Sequence, residues 1–391
     1  NKNREDIAMR LLRNLLLGII VIVGVVAVYA LNPNLPEPQG EQSALLYEPG
    51  NLGINSEAIA LIDNSRSTMA NGTYEGSDSR LLEGYVWYPE TTEPGPFPLV
   101  VYSHGYMSSV DEADYMVDFL VPKGYVVVAV NYPLSNGAAP GGPIVTDVIN
   151  QAGDVSFVIN QLLSRNTASG DNLSGLIDPQ RIAAVGLSLG GLTTQLAAYH
   201  PEARDPRIQT AVSIAGPSAM LEREFFQSTN IPFMMIGGTD DAIVPYEMNA
   251  APMPDKVDNS LLVTLEGGSH VGFVTIASTF LRWFDHPDAL VCPMLLAGLE
   301  NGGGSRPETI MTPNPAIGIS ATVSEPCPSD NFNRAMRPGQ QQMLTRLAVY
   351  AFLESAFATE PARRQAMQTY LESGLAEENA EVSIRLSAGS N

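Results

Sequence analysis

Residues 183–194 read AAVGLSLGGLTT, an apolar run that ends in Gly-Leu-Ser-Leu-Gly and passes directly into helix-like sequence. The reading of Ser188 decides the fold. Either it is a nucleophile lifted on a sharp strand-to-helix turn, or it is one serine among small residues in a glycine-rich loop. A Gly-x-Ser-x-Gly pattern arises readily by chance in a chain with 34 glycines, so the surrounding sequence has to carry the argument.

That surrounding sequence is a series of short apolar runs. Strands are expected at 82–88, 99–103, 126–131, 182–187, 208–214, 233–237 and 261–265. Most are continuously hydrophobic rather than alternating, as suits strands covered on both faces of a parallel sheet. Helical patterns near 112–121, 144–164 and 191–199 separate them. In the second of these, Val148, Ala152, Val155, Ile159 and Leu162 recur on one face with a 3.6 period. Strand and helix in alternation predict an α/β fold with a doubly wound, mostly parallel sheet. Ser188 then stands between a strand and a helix, and Gly186 and Gly190 leave room for the tight crossing there.

A serine hydroxyl is a weak nucleophile and needs a base within hydrogen-bond reach. Of the four histidines, His104 follows a strand upstream of the serine, His200 ends a helix, and His286 lies in irregular sequence. His270, in EGGSHVGF, follows the last expected strand, where a loop at the carboxyl edge of the sheet can return to Ser188. It is the expected base. An acid is wanted between serine and histidine to hold the other ring nitrogen, and PFMMIGGTDDAIVP supplies Asp240 and Asp241. Spacing does not choose between them. The oxyanion donors expected are the backbone N–H of Leu189, next after the serine, and that of Tyr106 in SHGY; His104 and Gly105 read as structural.

The net charge of −21 excludes a nucleic-acid partner, because a phosphate backbone would be repelled. The charge is uneven: Lys2, Arg4, Arg10 and Arg13 stand in a basic head, followed by an uncharged run at 15–31. As a helix that run is about 25 Å long, and adding 11–14 brings it to a bilayer core of about 30 Å. Residues 1–31 therefore read as an N-terminal transmembrane helix that anchors the chain in the lipid bilayer through 11–31, with the body extracytoplasmic. A signal peptide ending at Val28-Tyr29-Ala30 is the competing reading. A Pro-rich linker follows at 32–44, then the main domain at 45–358, and a C-terminal helix and polar tail at 359–391. Within the main domain an irregular insertion at 285–338, after the catalytic-histidine candidate, holds Cys292 and Cys327. On an exported body these read as a disulfide, worth about 3–4 kcal/mol. Without nearby histidine pairs they make a poor zinc site.

Together with the serine turn, RLLEGYVWYP (80–89), GPFPLVVYSHGY (95–106), KGYVVVAVNYP (123–133), IDPQRIAAVGLSLGG (177–191), GGTDDAIVP (237–245) and GGSHVGF (267–273) carry a family likeness. Over residues 45–284 the chain resembles the α/β-hydrolase superfamily. The likeness is to its branch of platelet-activating factor acetylhydrolases, chlorophyllases and dienelactone hydrolase-like enzymes, with the cutinase-like polyester hydrolases related. In that family's Gly-Thr-x-Asp-x-x-Val-Pro pattern the acid falls on Asp241. The resemblance implies a serine hydrolase of carboxylic esters that uses no cofactor and no metal, acting on a small-molecule or lipid ester. Two departures stand out. The segment 214–231 leaves little room for a lid, which favours an open cleft, and the cysteine-bearing insertion is foreign to the compact polyester hydrolases. Two alternatives belong beside this reading: a catalytically silent subunit of a membrane protein complex, and a serine peptidase or thioesterase, since fold does not choose among acyl transfers.

Overall fold

Nine strands form one sheet in the order β1-β2-β4-β3-β5-β6-β7-β8-β9. The computed structural model describes residues 9, 13–14, 16–25, 28, 36–91, 95–301, 310–328 and 332–388. The strands are β1 (Gly53–Asp63), β2 (Arg80–Glu90), β3 (Phe97–Ser103), β4 (Val126–Asn131), β5 (Ile177–Leu187), β6 (Ile208–Ile214), β7 (Phe233–Gly238), β8 (Ser260–Leu265) and β9 (Val382–Leu386). Those from β3 to β8 run parallel, while β1, β2 and β9 are antiparallel additions at the two edges. The main helices are α1 (Glu41–Tyr47), α2 (Asp114–Leu120), α3 (Val148–Thr167), α4 (Leu189–Tyr199), α5 (Asp288–Asn301), α6 (Pro338–Phe357) and α7 (Pro361–Thr369). One buried cluster packs α2 and α6 on one face of the sheet, and a second packs α3 and α4 on the other. This is the doubly wound α/β arrangement expected of the sequence, and it is hydrolase-like.

Each expected strand is present, and the differences lie at the edges. β1 is missing from the sequence reading because it is largely exposed and shows no apolar run. The polar tail is not all tail: residues 382–386 form β9, which pairs with β8. The linker gives way to helix at Glu41, inside the expected 32–44, because the Glu378 carboxylate caps the new helix by accepting the N–H of Gln42 (2.9 Å) and of Ser43 (2.6 Å). The insertion is not irregular throughout. It contains α5, whose sequence DALVCPMLLAGLEN is apolar on every side and so hides its helical period. The expected disulfide is present, joining Cys292 on α5 to Cys327 across a sequence separation of 35.

The expected membrane helix falls mostly outside the described residues. Residues 16–25 are helical and exposed. Among the described residues no helix is long and apolar enough to cross a membrane.

Two features fix the frame around the site. Arg80 at the start of β2 is fully buried and forks to both Asp147 (2.9 Å) and Asp154 (2.6 Å), the second carboxylate lying on α3. It ties a sheet edge to the helix that packs beneath it. At the centre, an ideal Cβ on Gly186 would lie 2.1 Å from the Gly190 carbonyl oxygen, and one on Gly190 only 1.9 Å from that of Ser103. Strand β5 and helix α4 therefore cross at a distance only hydrogen side chains permit.

Candidate active site

Ser188 stands at the point where β5 becomes α4, with φ 56° and ψ −122°. That is a costly conformation for a residue bearing a Cβ. It is held there by neighbours: the Ser188 N–H donates to the Ile214 carbonyl (2.8 Å), and its own carbonyl accepts from Gly191 (2.8 Å). The turn points the hydroxyl out of the sheet, at the N-terminus of a helix buried along its whole length. There the helix dipole favours developing negative charge.

The loop after β8 brings His270 to this hydroxyl. Its Nε2 lies 2.8 Å from Ser188 Oγ, and its Nδ1 lies 2.7 Å from Asp241 Oδ2. Asp241 comes from the loop after β7, and its other oxygen accepts the N–H groups of Ile243 (2.9 Å) and Val244 (2.7 Å). The pairing leaves Nδ1–H to donate to the carboxylate and Nε2 free to accept the serine proton. Asp240 does not take part. It is half-buried, and its carbonyl accepts from His286 Nε2 (3.1 Å). Burial by itself would lower the His270 pKa, but the Asp241 carboxylate bonded to it, with further help from Asp288 and Glu112, holds it above the usual histidine value.

Tyr106 and Leu189 flank Ser188 in the same cleft. Among the described residues neither backbone N–H has a hydrogen-bond partner, so both are available to an incoming anion. His104 is buried; its Nδ1–H donates to the Gly105 carbonyl (2.7 Å) and its Nε2 accepts from Tyr132 N–H (3.1 Å). With both nitrogens occupied and burial lowering its pKa to about 4, it is a neutral structural group. His200 accepts two backbone N–H groups at the end of α4.

Three supporting residues are invisible in the sequence. The buried Asp288, first residue of α5, accepts the N–H of Ala242 (3.0 Å), His270 (3.0 Å) and Val271 (2.8 Å). One carboxylate thus fastens both loops that carry the histidine and its acid. Gln341 on α6 brackets the same loop, accepting from Ser269 N–H (3.1 Å) and donating to its carbonyl (2.6 Å). Glu112 lies beneath the Tyr106 loop, where both its oxygens accept the Gly105 N–H (3.0 and 3.1 Å). Burial pushes its pKa up to about 7. No motif or spacing marks these residues, because their roles exist only once distant segments meet.

The cleft over Ser188 is apolar, and two parts of the chain build it. Tyr106, Leu189, Met220 and Ile243 come from loops of the sheet. Leu295, Ile310, Val323 and Pro326 come from the insertion. The side expected to lie open for want of a lid is therefore walled by the disulfide-bearing segment. Backbone bonds seat that wall at two places: Cys327 N–H donates to the Ala242 carbonyl (2.6 Å), and Ser320 N–H to that of Met220 (2.8 Å).

Comparison with known proteins agrees with this architecture. A family model described as PET hydrolase-like matches residues 57–285. A bis(hydroxyethyl) terephthalate hydrolase of Streptomyces coelicolor is 23% identical over 292 residues, covering 71% of this chain and 84% of that protein. The solved structure of a ferulic acid esterase from Streptomyces cinnamoneus matches in fold with a TM-score of 0.52 at 18% identity, over 81% of this chain and 94% of that one.

Proposed function

The chain belongs to the PET hydrolase-like family, an ester-hydrolase branch of the α/β-hydrolases, and from that premise we propose that it is a serine esterase working through an acyl-enzyme. Ser188 attacks the carbonyl of a carboxylic ester. His270 takes the serine proton and returns it to the leaving alcohol. Asp241 keeps the imidazole in the accepting tautomer and stabilises the imidazolium. The amides of Tyr106 and Leu189 receive the oxyanion, first in acylation and again when water attacks the acyl-enzyme. No metal or cofactor enters any step.

The observation that carries this reading is the continuous relay from Asp241 Oδ2 through His270 to Ser188 Oγ, at 2.7 and 2.8 Å. These are hydrogen-bond distances within the range a general base requires. The apolar cleft beside the serine supports an ester with an apolar acid or alcohol part, and the S. coelicolor relative is named for an aromatic ester. Ser188→Ala should abolish hydrolysis of a short-chain chromogenic ester while far-UV circular dichroism stays unchanged, and a fluorophosphonate probe should label the parent but not the variant. Turnover that survives the substitution sinks the assignment. A series of esters of graded chain length and with aromatic acids defines the substrate class.

The proposal includes anchorage. The basic head and apolar run at 11–31 support a single membrane tether with the body on the extracytoplasmic side, and the Cys292–Cys327 disulfide suits an oxidising compartment. Carbonate extraction of membranes should leave the full chain in the pellet. Release of the intact full-length chain into the supernatant would exclude the tether.

A further inference from the structure

Between residues 276 and 296 the molecule exposes an unusual amount of large apolar side chain. Ile276, Phe280, Trp283 and Phe284 project from the segment after His270, and Leu290 and Met294 from α5; Trp283 is 59% exposed and Met294 57%. Scattered exposed apolar residues need no explanation, but a continuous stretch of chain carrying two phenylalanines and a tryptophan does. The stretch also borders the cleft. On α5, Leu295 lines the space beside Ser188 while its neighbour Met294 faces outward, so the ridge is the outer side of the cleft wall.

We infer that this ridge seats on an anionic lipid surface and presents the cleft to esters lying in it. Three observations select that occupant. First, in a chain of net charge −21 the ridge is flanked by Arg282, Arg334 and Arg337. Arg337 reaches the Arg282 carbonyl (2.7 Å), the Arg282 guanidinium lies over the Trp283 ring at 4.6 Å, and Asp285 faces Arg334 at 3.6 Å. Apolar and aromatic side chains bordered by arginine suit the headgroup boundary of an anionic membrane. Second, the ridge lies near the point where the tether joins the body. On α6, Gln342 bonds the Val274 carbonyl (2.8 Å) and Arg346 bonds the Tyr47 hydroxyl (3.0 Å), so α1 and the ridge segment meet neighbouring turns of one helix. Residues 32–40 reach about 30 Å when extended, enough to let this side settle on the bilayer. Third, residues 16–25 are themselves exposed and do not cover the ridge. The inference rests on the tether reading for its geometry, although the ridge can be tested separately.

The test uses the full chain with Trp87→Phe, which leaves Trp283 as its single tryptophan. It is mixed with phosphatidylcholine–phosphatidylglycerol vesicles whose acyl chains are brominated near the headgroup. Trp283 emission should lose most of its intensity. Adding Ile276→Ser and Phe280→Ser should remove the quenching and slow hydrolysis of a vesicle-embedded ester, while hydrolysis of a soluble short ester stays unchanged. Flotation of the vesicles after an alkaline carbonate wash, which strips a surface contact but not a spanning helix, reports the tether independently. A chain that floats with unquenched Trp283 overturns the ridge proposal and keeps the tether. A chain that does not float but is quenched keeps the ridge and removes the tether. Quenching that persists with both serines, or a lipid-free Trp283 shift that grows with protein concentration, overturns the lipid surface in favour of another contact.

Discussion

At the residue scale the proposed chemistry turns on the protonation of one imidazole. In the mechanism proposed above His270 has to be neutral to accept the serine proton, and the Asp241 carboxylate holds its pKa above the usual 6.5. Activity should therefore fall as pH drops, with the midpoint of the acid limb above 6.5. In Asp241→Asn the stabilising charge is gone, so the midpoint should move to lower pH, and kcat should fall by about 10⁴. A rate profile over pH 5–9 for both proteins checks this; an unshifted limb in the variant would mean that a different group titrates. The three relay residues were legible in the sequence because each sits in a short motif after an apolar strand. The choice of Asp241 over Asp240 was not legible from spacing. It came from the family likeness, and the geometry agrees, with Asp241 alone meeting the imidazole.

At the scale of elements, the loops bearing His270 and Asp241 depend on a residue of α5. Asp288→Asn keeps the shape but replaces one accepting oxygen by a donor that faces an N–H. It should destabilise the fold by about 1–3 kcal/mol and lower kcat about tenfold, since misplacing the base by a fraction of an ångström is costly. Urea titration and steady-state kinetics measure the two effects. The same helix is joined to the cleft wall by the disulfide. Changing both cysteines to serine should raise KM for a bulky aromatic ester several-fold and leave kcat for a short ester nearly unchanged, because Leu295 and Val323 line the cleft beside Ser188 and make no hydrogen bond in the relay. Equal loss for both esters would show that the wall also positions the catalytic loops. The parallel strands were readable because burial on both faces makes them uniformly apolar. β1 and β9 were not, since edge strands exposed to water carry mixed sequence, and α5 was hidden because it has no polar face.

At the scale of the molecule, the sheet edge opposite β9 is fixed by charge as well as by apolar packing. Arg80, Asp147 and Asp154 are all fully buried, and Arg66 adds a second guanidinium against Asp154 at 2.7 Å. Removing Arg80 would leave two buried carboxylates short of their partner. Arg80→Leu should cost about 3–5 kcal/mol, read as a lowered urea midpoint at pH 7. Burial already pushes the Asp154 carboxyl above its ordinary value, and losing Arg80 would raise it further, so the penalty applies where that carboxyl is ionised and fades as pH falls through its pKa. Part of the loss should return at acid pH, and a loss independent of pH would assign it to packing instead. Arg80 and the two aspartates were in plain view in the sequence, yet nothing there says that a residue opening β2 will face a helix about seventy positions later. The cross-link carries a last implication, about when the molecule becomes whole. Because one side of the substrate cleft is pinned by joined sulfurs, a chain still among reducing thiols has its relay but an unfastened pocket. On the extracytoplasmic placement proposed above, competence toward large substrates would then be acquired on delivery to an oxidising space, while the newly made chain would keep only its action on small esters.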